Sequence, residues 1–139
     1  MSIRKINDSI NNLDFALSKL RESLDCDRKD KIAIDASIYR FQVVNRLLWK
    51  TLKRALEFEG YILDTPRDIL KLCFSINWIE NEEMWLEILD LNHLIIVAYT
   101  DENLALSIQG KIKKSFDEMY NLLIRTKAKY NKNYAQHAI

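Results

Sequence analysis

Seven aliphatic residues at the start of the chain, Ile3, Ile6, Ile10, Leu13, Leu17, Leu20 and Leu24, are spaced alternately three and four residues apart. A helix turns once every ~3.6 residues, so this spacing puts all of them on one stripe. A strand would scatter them over both faces. A stripe of this length must be covered by other helices. Turn chemistry is scarce in the rest of the chain, with two Gly and one Pro in 139 residues. A sheet protein of this size needs more turn residues than that. Gly-rich phosphate loops are excluded as well.

Four further helices follow from periodicity and end signals. The second segment runs from about Lys31 to Glu59 and stops at Gly60. Ile34, Ile38, Phe41, Asn45, Leu48, Leu52 and Ala55 form one stripe, and Ile32, Ala36, Tyr39, Val43 and Leu47 a second. Two apolar faces predict a helix packed on more than one neighbour. Thr65-Pro66-Arg67-Asp68 reads as a cap, a first-turn proline and a first-turn acid. It opens a third helix that points Ile69, Leu70, Cys73 and Phe74 inward and ends near Trp78. Asn81 caps a fourth, with Glu82 and Glu83 in its first turn.

The fourth helix carries Trp85, Ile88, Leu89, Asn92, Ile95, Ile96 and Tyr99 on one face and is apolar almost all round. That predicts deep burial or half of an oligomer interface. The last helix runs from Thr100 or Asp101 to about Tyr130, with Leu104, Ile108, Ile112, Met119, Leu122 and Leu123 as its stripe and Gly110 inside it. The expected fold is therefore all-α: an antiparallel up-and-down bundle of the four-helix type, with five helices counting the short ones. One domain spans 1–139, with a basic tail from about 126 to 139.

Charge and cysteine content narrow the function. Lys plus Arg number 21 and Asp plus Glu 20, a formal charge of +1, so no strong global field gathers nucleic acid or acidic lipid. The longest apolar run, Leu94 to Tyr99, is far short of the ~20 residues of a membrane span. The polar, periodic N-terminus does not read as a signal peptide. Cys26 and Cys73 stand apart from each other and from any ligand-spaced His, which argues against zinc and for free thiols in a reducing, cytoplasmic setting. No metal or cofactor is implied.

Chemistry-bearing residues are few. His93 and His137 are the only histidines, and Asp90-Leu91-Asn92-His93 lacks a second motif with which to hold a di-metal centre. The tail's Lys and Tyr residues suit either RNA contact or a solvated helix end. Asn45 and Asn92 fall on core-facing stripes. Each is either a structural hydrogen bond or helix-end exposure, or else the polar floor of a cleft.

Arg40-Phe41, Trp49-Lys50-Thr51-Leu52-Lys53, Glu57-Phe58-Glu59-Gly60, Pro66-Arg67-Asp68 and Trp85-Leu86-Glu87 follow one another in a recognisable order. The arrangement resembles the nucleotidyltransferase substrate-binding protein family, a branch of the HEPN superfamily, over roughly residues 3–125. The resemblance implies a helical bundle that forms a homodimer or higher oligomer. Its implied partner is a separately encoded minimal nucleotidyltransferase of the MNT type, with a nucleotide as a further ligand. Related pairs are toxin–antitoxin systems, in which the helical protein is an RNase and its partner adenylylates it.

The family's Arg-x4-His segment with its following Tyr aligns with Asn92, Val97 and Tyr99. Val97 cannot transfer a proton, so a non-catalytic subunit is expected. An RNase with a displaced site using His93, or a purely structural dimer, are the alternatives. Asn45 and Arg46 stand where the family often has an aromatic residue and a Glu. The resemblance makes Tyr99, Asn92 and His93 candidates for modification or ligand contact, and Asn45, Trp49, Lys53, Arg67 and Trp85 candidates for a cleft or partner surface.

Overall fold

The computed structural model describes residues 2–26, 30–98 and 100–131, with backbone alone at 96–98. It contains α1 (Ile3–Leu24), α2 (Lys31–Phe58), α3 (Pro66–Ser75), α4 (Glu82–Ala98) and α5 (Glu102–Tyr130). Local chemistry explains most of these limits. Ser2, Asp30, Thr65 and Asp101 are N-caps whose side chains accept from first-turn amides. The Asn81 side chain likewise accepts from Met84 N.

Two helices end on residues in the left-handed region. Gly60 has φ 97°, with Tyr61 N donating to Leu56 O at 2.8 Å. Asn77 has φ 63°, with Trp78 N donating to Cys73 O at 2.8 Å. Both are six-to-one closures that satisfy orphan carbonyls, glycine in one case and asparagine in the other. The Asn77 turn stops α3 at Ser75 rather than near Trp78.

The four long helices run up, down, up and down. Along α1 and α2, Ser23 Oγ meets Ser37 Oγ at 3.0 Å, while Arg54 at the far end reaches Ser9. Along α1 and α5, Asn7 donates to Tyr130 O and Lys127 pairs with Asp14. Both pairs are therefore antiparallel. Lys31 pairs with Glu102 at one end of α2 and α5, and Tyr130 reaches Glu59 at the other, so α2 and α5 are parallel across the bundle. α4 packs mainly on α5 and touches α2 only sparingly, with α3 beside that seam.

The α1 stripe is the centre of the core. Ile6, Ile10, Leu13, Leu17, Leu20 and Leu24 are buried in one cluster with Ile38, Phe41, Leu48, Ile112, Met119 and Leu123. Ile3, on the first turn, stays partly open.

α2 packs on more than one neighbour as expected, mainly α1 and α5, but its second stripe is left largely open: Ile32 is 81 % exposed and Tyr39 62 %. No described helix covers that side, and Phe15 of α1 lies open beside it, sharing a shallow hollow with Tyr39 and Val43. Phe74 is exposed, because a ten-residue helix resting on one side of the bundle buries only Ile69, Leu70 and Cys73. Asn92 is exposed, because it lines the open gap between α2 and α4.

The open end of α5 is fastened by an aromatic cluster. Phe58 and Trp78 both meet the Tyr130 ring edge-on, at 5.9 and 6.4 Å. The Tyr130 hydroxyl donates to Glu59 Oε1 at 2.8 Å. Burial, together with the Glu59 carboxylate, pushes the Tyr130 hydroxyl well above the usual tyrosine range.

Leu17→Ala is expected to cost about 2–5 kcal/mol, because it opens a cavity in the seam. Phe15→Ala, two residues away on the open side, is expected to cost less than about 1 kcal/mol. Urea melts of the two variants check the contrast. Burial also pushes the Cys73 thiol from 9.0 up to about 12. Between those values the unfolded chain releases a proton that the folded chain keeps, so stability is full below 9 and falls as pH rises. Thermal melts across that window should show a shallower decline for Cys73→Ala.

Candidate functional site

The sparsely packed seam between α2 and α4 is a cleft of about 830 Å3. α2 supplies Tyr39, Gln42, Val43, Asn45, Arg46 and Trp49. Three- and four-residue steps link them (39, 42, 46, 49; 39, 43, 46; 42, 45, 49), so they share a helix face. The start of α3 adds Thr65, Pro66 and Arg67 across the mouth, and α4 adds Leu89, Asn92 and His93.

The floor is built from Asn45 and Trp49. Both are buried, and Trp49 Nε1 donates to Asn45 Oδ1 at 2.8 Å, one turn back on the same helix. Asn45 is thus a structural hydrogen bond and a polar floor at once. Trp85 lies behind the floor, fully buried, its ring edge-on to Trp49 at 6.3 Å. The Trp85 Nε1 has no hydrogen-bond partner among the described residues, an uncompensated donor against the packed rings.

The lining carries the guanidinium groups of Arg46 and Arg67 and the His93 imidazole, and it contains no carboxylate. Among the described residues, neither arginine forms an ion pair, and both are exposed to solvent. The Thr65 hydroxyl is occupied as the α3 cap, accepting from Asp68 N at 3.2 Å. No Ser or Cys faces His93 in the lining, and no acid is present to orient its ring. No group of three or more His, Cys, Asp or Glu among the described residues could hold a metal. The arrangement is suited to binding, with donors and cations grouped over an aromatic floor.

Five of the eight candidate residues therefore meet in one cleft: Asn45, Trp49, Arg67, Asn92 and His93. Trp85 supports it from behind. Lys53 lies outside it, paired with Asp64 at 3.7 Å. Tyr99 lies outside the described residues, as does the side chain of Val97. Tyr39, Gln42 and Thr65 were not singled out for the cleft, and Arg46 stood out only as a departure from a family pattern. The helical spacing 39, 42, 46, 49 on the face that carries Asn45 was the available signal.

The fold and the cleft define a helical-bundle protein whose α2–α3–α4 cleft is lined, among the described residues, by two arginines and no carboxylate. The chain belongs to the family described as nucleotidyltransferase substrate binding protein like, which matches residues 8–128. Its fold is similar to that of a protein from Thermus thermophilus known from a crystal structure. The two share a TM-score of 0.77 and 24 % identity over 83 % of this chain and 98 % of that one, a likeness of fold. No curated protein matches the chain. No helix among the described residues is long and apolar enough to cross a membrane.

Asn45→Ala strips the buried Trp49 Nε1 of its acceptor and is expected to cost about 1–3 kcal/mol. Asn92→Ala, at an exposed position, should change stability by no more than about 0.5 kcal/mol. Denaturant melts followed by tryptophan emission measure both.

Proposed function

We propose that this protein is a non-catalytic binding subunit of a two-component minimal nucleotidyltransferase, of the kind that pairs a HEPN-type helical protein with an MNT-type partner. The observation that carries the reading is the α2–α3–α4 cleft, which gathers donors and cations but no nucleophile–base–acid set, in a chain of the nucleotidyltransferase substrate binding family. A separately encoded transferase supplies the chemistry, and this chain supplies the surface that holds the acceptor. The open stripe of Ile32, Tyr39 and Val43 supports a partner role, since it borders the cleft and shares Tyr39 and Val43 with it. Self-association through α4 belongs to the same reading, as does a toxin–antitoxin-like pairing in the cytoplasm. Tyr99, seven residues after the cleft-lining Asn92, is the proposed nucleotide acceptor when the chain itself is the substrate.

A second reading, an RNase with a displaced site, is favoured by one observation: His93 shares the cleft with Arg46 and Arg67. An imidazole and guanidiniums together can move a proton and stabilise a phosphorane-like charge. RNA that stays intact with the wild-type chain, as with His93→Ala, rejects it.

Co-expression with a minimal nucleotidyltransferase encoded beside this chain, followed by intact-mass measurement, tests the first reading. A nucleotide-sized mass gain that disappears in Tyr99→Phe is the expected result for the acceptor role. Failure of the two proteins to co-purify would overturn the partnership.

A further inference from the structure

On the outer side of the bundle, α1 and α2 leave an apolar groove between them. It holds a hollow of about 430 Å3, lined by Ala16, Val43 and Leu47 and by the rings of Phe15 and Tyr39. Phe15 is 67 % exposed, and water beside a ring of that size is displaced at a gain when a partner covers it. The polar part of the lining is cationic: Lys19 and Arg40, with Asn12 and no carboxylate. Lys19 Nζ lies 5.6 Å from the centre of the Phe15 ring, and Arg40 is tied to α1 by donating to Lys19 O at 2.6 Å. The contact of Lys19 with Glu22, at 3.8 Å between exposed groups, neutralises it only weakly. Arg46 and Lys50 continue the positive charge along the same face of α2, following Tyr39 and Val43 in steps of three and four. Neither forms an ion pair among the described residues.

Shape and charge together select what lies there. From Asn12 to Lys19 the hollow follows α1 for roughly 10 Å, the rise of two helical turns. A helix laid in a groove between two antiparallel helices presents apolar residues at i, i+3 and i+4 to it. Carboxylates beside those anchors meet the cations at the rim. A second copy of this chain is a poorer occupant, because a two-fold pairing of the hollow with itself sets Lys19 and Arg40 against the same cations. Tyr39 and Val43 line both this hollow and the α2–α3–α4 cleft, so a protein seated in the hollow stands at the edge of the cleft.

We propose that the α1–α2 hollow is where the nucleotidyltransferase docks, through an acidic, amphipathic helix whose apolar face enters between Phe15 and Tyr39 and whose carboxylates meet Lys19 and Arg40. This rests on the partnership proposed above and gives it a surface distinct from the cleft that holds the acceptor.

The test measures binding of the purified chain to the minimal nucleotidyltransferase encoded beside it, by calorimetry at low and high salt. Phe15→Ser is expected to weaken the complex by roughly tenfold or more. Lys19→Glu should weaken it at low salt and much less at high salt, where the rim charges are screened. Phe74→Ser, at an exposed aromatic of α3, and Arg67→Gln, in the cleft, should leave it unchanged. Phe15 and Lys19 are exposed, and circular dichroism checks that their variants fold. Hydrogen exchange should show new protection over residues 12–19 and 39–47 in the complex.

A wild-type complex that is indifferent to Phe15→Ser and Lys19→Glu, or that is lost in Arg67→Gln instead, sinks the docking surface and spares the partnership. A chain that is dimeric alone and becomes monomeric in Phe15→Ser assigns the hollow to a second copy and overturns the proposal. A wild-type chain that binds no transferase overturns the partnership, and the docking surface with it.

Discussion

Everything in this bundle is arranged around the burial of one side of α1. Its stripe from Ile6 to Leu24 is removed from water by α2 on one flank and α5 on the other. Each fully buried aliphatic side chain contributes about 1.5–3 kcal/mol before conformational entropy is set against it. The stripe fixes the register of its neighbours, because ridges and grooves must interlock along its whole length. Polar contacts then follow that register: Ser23 with Ser37, Arg54 with Ser9, Asp14 with Lys127. The exposed ion pairs are weak contributors by comparison.

That arrangement also explains why a cleft exists where it does. α2 meets α1 along most of its length and α4 packs on α5, which leaves α2 and α4 touching only sparingly, at Trp49 and Trp85. α3 is only ten residues long and cannot fill the gap; it brings its first turn to the edge. The open side is kept from collapsing by a rigid floor. Trp49, Trp85 and Asn45 are buried together and hold one another by ring contact and hydrogen bond. A binding surface placed on packed helices rather than on loops keeps its side chains in place before any ligand arrives.

Much of the fold was legible in the sequence because it is written in local terms. Period, cap and stop signals placed α1, α2, α4 and α5 to within a residue or two. The end of α3 was misplaced because asparagine, at Asn77, took the left-handed turn for which glycine is the usual signal. The faces were harder to read. Ile32, Tyr39 and Val43 have the spacing of a buried stripe, and only the placement of the other helices shows that none covers it. For the same reason Asn92, on a stripe of core residues, left a structural bond, exposure and a cleft floor open as readings, and it lies exposed in the open cleft. Asn45, Trp49 and Arg67 read as candidates for a cleft or partner surface and Asn92 and His93 as candidates for ligand contact, but the sequence does not say that the five share one cleft. Convergence depends on how α2, α3 and α4 splay, and no local pattern encodes that.

The closure of α5 against α1 has a consequence for how the chain comes into being. Asn7 and Tyr130 are 123 positions apart, and Asp14 and Lys127 are 113 apart. α1 and α2 can pair as soon as both have left the ribosome, since short-range hairpins of helices form early. The flank of α1 that belongs to α5 must wait until nearly all of the described chain has been made. Until then an aliphatic strip stands open to chance encounters, the condition under which partly made chains aggregate. The last turn of α5, pinned by Tyr130 to Phe58, Glu59 and Trp78, is thus the clasp that ends this exposed interval during synthesis.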